Sequence, residues 1–239
     1  MNVLAIGNSF STDATRYLHS IARADGEKLE ITNLYIGGCS LERHFRNMLS
    51  DEKEYELQYN GENTGFYVSL SEALLNRAWD VVTLQQSSPI SFKPESYDPY
   101  IKELAAYVRK FVPKAKIYIH QTWAYEDGSE KLARTGYDSF DNMLADVVKT
   151  YSLGKEMINA DGIIPSGEML GALLKAGITP IHRDTFHASH GIGRYALGLI
   201  WYRALFGKDV TENTFRDFDA PISEETVVKI KELANTFCK

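Results

Sequence analysis

The sequence predicts an α/β fold, a parallel sheet covered by helices on both faces. Three observations predict it. Short apolar runs alternate with helical patterns from one end of the chain to the other. The first run, Val3-Leu4-Ala5-Ile6, is apolar throughout, as a strand buried on both faces should be. The 239 residues, 44% apolar and 24% charged, are enough for one domain with a full core. Neither an internal repeat nor a low-complexity tract nor a domain boundary interrupts them, so 1–239 reads as a single domain.

After the first strand the chain turns at Gly7-Asn8-Ser9-Phe10-Ser11. Ser11, Thr12 and Asp13 offer three candidate N-caps for a helix over 14–24. A second strand, Leu29 to Ile36, ends at Gly37-Gly38, and Leu41 to Leu49 is helical. The polar stretch 50–67 carries an Asn60-Gly61 turn signal between Tyr55, Leu57, Tyr59 and Phe66, Tyr67, which fits a small hairpin. A short helix over 70–77 follows. The third strand, 79–84, runs into Gln85-Gln86-Ser87-Ser88. A helix over 100–111 is closed by Pro113, and the fourth strand, 115–120, leads into Gln121-Thr122-Trp123-Ala124-Tyr125. Then come a long helix over 137–157, a fifth strand at 160–165 and a helix over 168–176. Gly191 to Phe206 is apolar on most sides and reads as a buried helix. An amphipathic helix over 224–237 closes the chain.

Composition excludes several classes of function. The net charge of −6 argues against a nucleic-acid surface, which would want a basic patch. No apolar run approaches the roughly 20 residues that span a membrane. The short first apolar run leads straight into the turn motif, unlike a secretion signal, so the expected compartment is the cytoplasm, or the periplasm or exterior if a leader was trimmed. Cys39 and Cys238 give neither a disulfide framework nor a zinc site, and Cys39 reads as a small core residue. No oligomeric state follows from the sequence.

Two constellations carry chemistry. Ser9 sits where a central strand ends and a helix begins, the position at which open α/β sheets place their sites. Backbone N–H groups beside it can stabilise a developing negative charge. Near the other end of the chain lies His182-Arg183-Asp184-Thr185-Phe186-His187-Ala188-Ser189-His190. A carboxylate and an imidazole three residues apart can hydrogen-bond through Nδ1. Nε2 is then free to take a proton from a serine. Ser9, His187 and Asp184 therefore make a candidate triad. His182, Asp184, His187 and His190 make a rival metal cluster, and a phosphate cradled by the turn at Gly7 makes a flavodoxin-like binding module the other rival.

These blocks resemble the SGNH (GDSL-like) hydrolase superfamily, over Val3 to about Phe206. The likeness is nearest to a bacterial branch opening with Gly-Asn-Ser-Phe-Ser. The resemblance implies a three-layer α/β/α fold with a mostly parallel five-stranded sheet. Gly7-Asn8-Ser9 matches the Gly-Asp-Ser block and makes Ser9 the nucleophile; Asp184-Thr185-Phe186-His187 matches the Asp-x-x-His block. Gly38, with Gly37 as the alternative, matches the glycine whose N–H faces the oxyanion. The third block departs from the pattern: the superfamily has Gly-x-Asn-Asp, and here the strand ends in Gln85-Gln86. A glutamine amide offers the same donor on a longer arm, and Gln85 is nearer the strand end than Gln86. The implied reaction is hydrolysis of a short acyl ester, O-acetyl on carbohydrate, through an acyl-enzyme and without cofactor or metal. The rival within the class is a lipid or other short-chain ester. Gln121, Trp123 and Tyr125, leaving the fourth strand toward the same sheet edge, are the candidate sugar-binding groups, or else a core Trp with a polar loop.

Overall fold

The computed structural model describes residues 1–238. Five strands run parallel: β1 (Asn2–Gly7), β2 (Glu30–Tyr35), β5 (Val81–Leu84), β6 (Lys116–His120) and β7 (Gly162–Ile164). The hairpin is formed by β3 (Tyr55–Tyr59) and β4 (Glu62–Val68), and β3 pairs antiparallel with β2. One seven-stranded sheet results, in the order β4-β3-β2-β1-β5-β6-β7. The expected sheet of five thus gains two strands. The hairpin's turn is Asn60-Gly61, with both residues at positive φ, and a side chain on Gly61 would collide with the carbonyl of Arg16. Contact with a distant segment therefore seats the hairpin on the sheet edge, and no local pattern reports such a contact.

Burial follows strand position. Val3 to Ile6 in β1 and all of β5 are buried, because both strands lie inside the sheet with helices above and below. The helices divide into two layers. On one side pack α1 (Ser9–Thr15), α2 (Leu18–Ala24), α8 (Ser166–Lys175), α9 (Ile192–Phe206) and α10 (Glu224–Ala234). On the other pack α3 (Leu41–Ser50), α4 (Leu70–Leu75), α5 (Tyr100–Phe111) and α7 (Phe140–Ile158). The short α6 (Glu130–Ala133) lies in the loop after β6. α9 is the centre of its layer, touching α1, α2, α8 and α10. Its Leu197, Leu199, Ile200 and Trp201 are wholly buried, and each large apolar side chain so placed contributes about 1.5–3 kcal/mol.

Serines set several helix starts. Ser40, Ser139 and Ser223 cap α3, α7 and α10 through their side chains, and Ser69 with Glu72 forms a capping box on α4. The first helix differs most from the expected 14–24. It begins at Ser9, and its cap is Asn8, whose side chain accepts from the Phe10 N–H; Ser11, Thr12 and Asp13 lie inside it. It also breaks at Arg16-Tyr17, where α2 takes over. Both side chains there are held from far away: Arg16 pairs with Asp219, and the Tyr17 hydroxyl donates to the His190 carbonyl and accepts from the Asp219 N–H. Helical periodicity cannot see such anchors.

Candidate active site

The parallel strands β1, β2, β5 and β6 end at one edge of the sheet, and the loops leaving them enclose a cleft of about 660 Å³. Ser9, Gly38, Ser87 and His187 all border it. Gly7, the last residue of β1, has no room for a side chain: a Cβ would lie 2.5 Å from Ser11 Oγ and 2.9 Å from Gln85 Oε1. Glycine here serves close packing behind the turn and is not part of the cleft wall.

Ser9 and the Asp184–His187 loop meet across 178 residues of sequence. The His187 Nδ1–H donates to Asp184 Oδ2 at 2.7 Å, and its backbone N–H donates to the other carboxylate oxygen at 2.9 Å. Nε2 then accepts from the Ser9 hydroxyl at 2.9 Å. Burial raises the Asp184 carboxyl, but the hydrogen bonds from His187 outweigh it, and the group sits below the usual carboxylate range. Asp184 is therefore ionised at neutral pH, facing the nitrogen that would carry a developing imidazolium charge.

The loop is fixed from several sides. His182 bridges to Ala188, the Arg183 N–H donates to the His187 carbonyl, and the Glu126 N–H donates to the Thr185 carbonyl. Trp123, buried after β6, donates its indole N–H to the Phe186 carbonyl at 2.7 Å and lies against Phe10 with ring centroids 4.0 Å apart. One side chain thus braces the residue after Ser9 and the residue before His187. Asp13, fully buried on α1, pairs with Arg183 and Arg194 and also accepts from the Ala188 N–H.

Several of the residues expected at the site are engaged elsewhere. Gln85 does not border the cleft. Its amide nitrogen donates to Asn8 Oδ1 at 2.7 Å, and its oxygen accepts from His120 Nδ1–H at 2.9 Å. His120 Nε2 in turn accepts from the Ser166 hydroxyl. Gln86 is equally engaged, accepting from the Leu41 and Ser87 N–H groups and donating to Ser96. Both amides are buried structural links, because a glutamine at the end of a central strand points back among the neighbouring strand ends. Ser87 borders the cleft instead, and its hydroxyl makes no hydrogen bond among the described residues. Two of the three candidate sugar-binding groups are also structural. Gln121 is locked by two hydrogen bonds with Glu168 at the start of α8, and Trp123 is the brace described above. Tyr125 does line the cleft, with its hydroxyl bonded to Ser88 Oγ at 2.9 Å.

Tyr35, Gln58, Lys131 and Phe186 also line the cleft, and sequence reading did not single them out for it. Two of them carry a local signal: Tyr35, at the end of β2 just before Gly37-Gly38, and Phe186, inside the Asp184-Thr185-Phe186-His187 block. The histidines of the 182–190 segment do not converge. His182 is buried and bonded to the Ala124 carbonyl, and burial pushes its ring down to about 4. Among the described residues no group of three or more His, Cys, Asp or Glu is placed to hold a metal ion. Cys39 is buried beside His44, and burial pushes its thiol up to about 12. No helix among the described residues is long and apolar enough to cross a membrane.

The fold is shared with solved structures of low sequence identity. A putative GDSL-like lipase from Parabacteroides merdae ATCC 43184 superposes with a TM-score of 0.53 at 16% identity, over 84% of this chain and 93% of that one. An alpha/beta hydrolase enzyme from the metagenome of Lake Arreo, Spain, superposes with a TM-score of 0.50 at 13% identity, over 86% and 93%. Much nearer is a DUF4886 family protein from Bacteroides uniformis ATCC 8492: TM-score 0.92, 32% identity, 99% of this chain and 93% of that one. The chain belongs to the DUF4886 family, described as a domain of unknown function, which matches residues 2–234. No curated protein matches it in sequence.

Proposed function

We propose that this protein is a serine hydrolase of short acyl esters, with Ser9 as nucleophile, His187 as general base and Asp184 as the group that orients and charge-balances it. The observation that carries the reading is the hydrogen-bonded series Ser9 Oγ, His187 Nε2, His187 Nδ1, Asp184, opening into a cleft. A serine hydroxyl is a weak nucleophile until a base stands beside it, and this one has its base in reach. Ser9 attacks the ester carbonyl as His187 takes its proton. The alcohol leaves as His187 returns that proton, and water then cleaves the acyl-enzyme with His187 again as base. The N–H groups of Ser9 and Gly38 are the proposed oxyanion donors. With Gln85 committed to Asn8 and His120, the third donor in this reading is the free hydroxyl of Ser87. Loss of one such donor typically costs roughly 2.7–4 kcal/mol of transition-state stabilisation.

The substrate in this reading is an O-acetyl ester on carbohydrate. The cleft is bordered by Thr12, Gln58, Ser87 and Ser88, groups that suit a hydrated alcohol better than an acyl chain. Neither metal nor cofactor enters the chemistry.

Labelling with a fluorophosphonate probe, followed by hydrolysis of p-nitrophenyl esters of increasing chain length, tests both levels. The wild type should be labelled and the Ser9→Ala variant should not. Turnover should fall steeply from acetyl to butyryl to octanoyl. Equal labelling of Ser9→Ala would overturn the nucleophile; a rise toward octanoyl would replace the acetyl substrate by a lipid-like one.

A further inference from the structure

Beside the main cleft lies a second cavity of about 480 Å³, and Pro89, Tyr125 and Lys131 border both. The charge around these two spaces is opposite to that of the molecule. The chain carries a net charge of −6, yet Lys93, Lys131, Arg134, Arg183 and Arg194 border the combined space against only two carboxylates, Asp13 and Glu130. Both carboxylates are already paired: Asp13 with Arg183 and Arg194, Glu130 with Arg134. Lys93 and Lys131 have no ion-pair partner among the described residues. Lys131 is placed beside the site, with Nζ 3.3 Å from the centroid of the Phe186 ring. That ring in turn lies 3.9 Å from the His187 ring. The ring quadrupole holds the ammonium on the aromatic face, and the N–H groups that do not face the ring remain able to donate to a ligand.

We propose that the ester hydrolysed here carries an anionic group, and that Lys131, with Lys93 behind it, binds that group in the side cavity while the ester lies at Ser9. The substrate class is then an acetylated acidic sugar, bearing a carboxylate, sulfate or phosphate a few bonds from the acetyl group. This rests on the esterase reading for the reaction, but the anion site itself does not depend on it. A low-dielectric cleft with an excess of one charge focuses its field and raises the local concentration of the opposite charge. Phe186 then has a structural reason to separate Lys131 from His187, since an ammonium in direct contact would oppose protonation of the imidazole.

The test compares a matched pair of esters, 4-nitrophenyl acetate and its ring-carboxylated analogue 5-acetoxy-2-nitrobenzoate, in the wild type, Lys131→Met and Lys131→Arg. The expected result is that the ratio of kcat/KM for the anionic over the neutral ester falls about tenfold in Lys131→Met and is largely restored in Lys131→Arg. In the wild type that ratio should also fall as NaCl is raised from 20 mM to 500 mM, as roughly expected when the Debye length shrinks to a few ångströms. A ratio unchanged by Lys131→Met would overturn the proposal. Thermal unfolding with added D-glucuronate, D-glucose 6-phosphate or D-glucose reads the anion site without any turnover. Stabilisation by either anion and not by glucose, lost in Lys131→Met, supports the site and tells carboxylate from phosphate; equal behaviour of all three sugars overturns it. An enzyme inert to both esters but stabilised by the anions would refute the esterase reading and leave the anion site standing.

Discussion

Asp184 meets His187 with both carboxylate oxygens, one on the ring nitrogen and one on the backbone N–H. The second bond fixes the carboxylate plane, and the first fixes the imidazole tautomer, so that Nε2 presents its lone pair to Ser9. An asparagine at 184 could keep the backbone bond through its oxygen while turning its NH₂ toward Nδ1. The ring would then hold its proton on Nε2 and could not accept from Ser9. Asp184→Asn should therefore lower kcat about 10²–10³-fold on an acetyl ester with little change in stability. The loss is placed below that of a buried triad because the Asp184 side chain is 45% exposed and water can share its role. A steady-state assay at pH 7 checks this, and a fall of less than tenfold would remove Asp184 from the mechanism.

At the scale of elements, four strand ends and two helix starts are tied together by a series of buried polar side chains. Asn8, ending the turn after β1, donates to the Cys39 carbonyl after β2, accepts from Gln85 after β5, and caps α1. Gln85 passes the connection to His120 at the end of β6 and to Ser166 at the start of α8. Every donor in this series meets an acceptor, which is what a buried polar network requires to be stabilising. The network explains why an amide and not a carboxylate stands before Ser9. A carboxylate at position 8 could still accept from Phe10 and Gln85, but its second oxygen would face the Cys39 carbonyl with no hydrogen to share. The favourable interaction of a negative charge with a helix start is about 0.3–1 kcal/mol, smaller than the penalty of an unsatisfied buried acceptor pair, about 1–3 kcal/mol. Asn8→Asp should thus destabilise the protein by about 1–2 kcal/mol and reduce kcat/KM, because the Gly38-Cys39 loop is released from Ser9. Chemical denaturation at pH 7 measures it; a variant as stable as the wild type would show that the network does not hold the loop.

For the whole molecule, buried histidines set the response to acid. Burial pushes His44 and His120 down to about 3 and His182 to about 4, so all three are neutral in the folded state near pH 5. In the unfolded chain they take up protons near 6.5. The stability that comes from keeping them neutral is complete above that value. It is lost as pH falls below it, because the unfolded state then binds more protons. Each histidine should remove on the order of 1 kcal/mol per pH unit once the pH is well below about 6. Carboxylates held low by arginines, such as Asp219 beside Arg16 and Arg194, add their loss only below about pH 4. Urea unfolding at pH 7.5, 6 and 5 should therefore show a steady decline over a range in which carboxylates alone would give a plateau. A flat profile between 7.5 and 5 would contradict it.

The sequence by itself determined the alternation of strands and helices, the buried character of β1 and α9, the hairpin around Asn60-Gly61 and the parallel direction of the core strands. These are periodic or local signals, written in apolar spacing and turn residues. It also singled out Ser9, Asp184 and His187, since a serine at a strand-to-helix turn and an Asp-x-x-His spacing are legible without coordinates. Only the tertiary structure decided where the hairpin goes, because its pairing with β2 and its contact with Arg16 join segments far apart in sequence. The fate of the amides was decided in the same way. Gln85, Gln86 and Gln121 look in the sequence like groups free to meet a substrate, whereas in the fold each is enclosed by partners from other strand ends and loops. Trp123 reads equally as a sugar platform or a core residue, and the choice falls to the core because Phe10 and the Phe186 carbonyl, brought from opposite ends of the chain, close around it. Strand and helix patterns depend on each residue's near neighbours, while the commitment of a polar side chain depends on which distant groups the fold brings within about 3 Å of it.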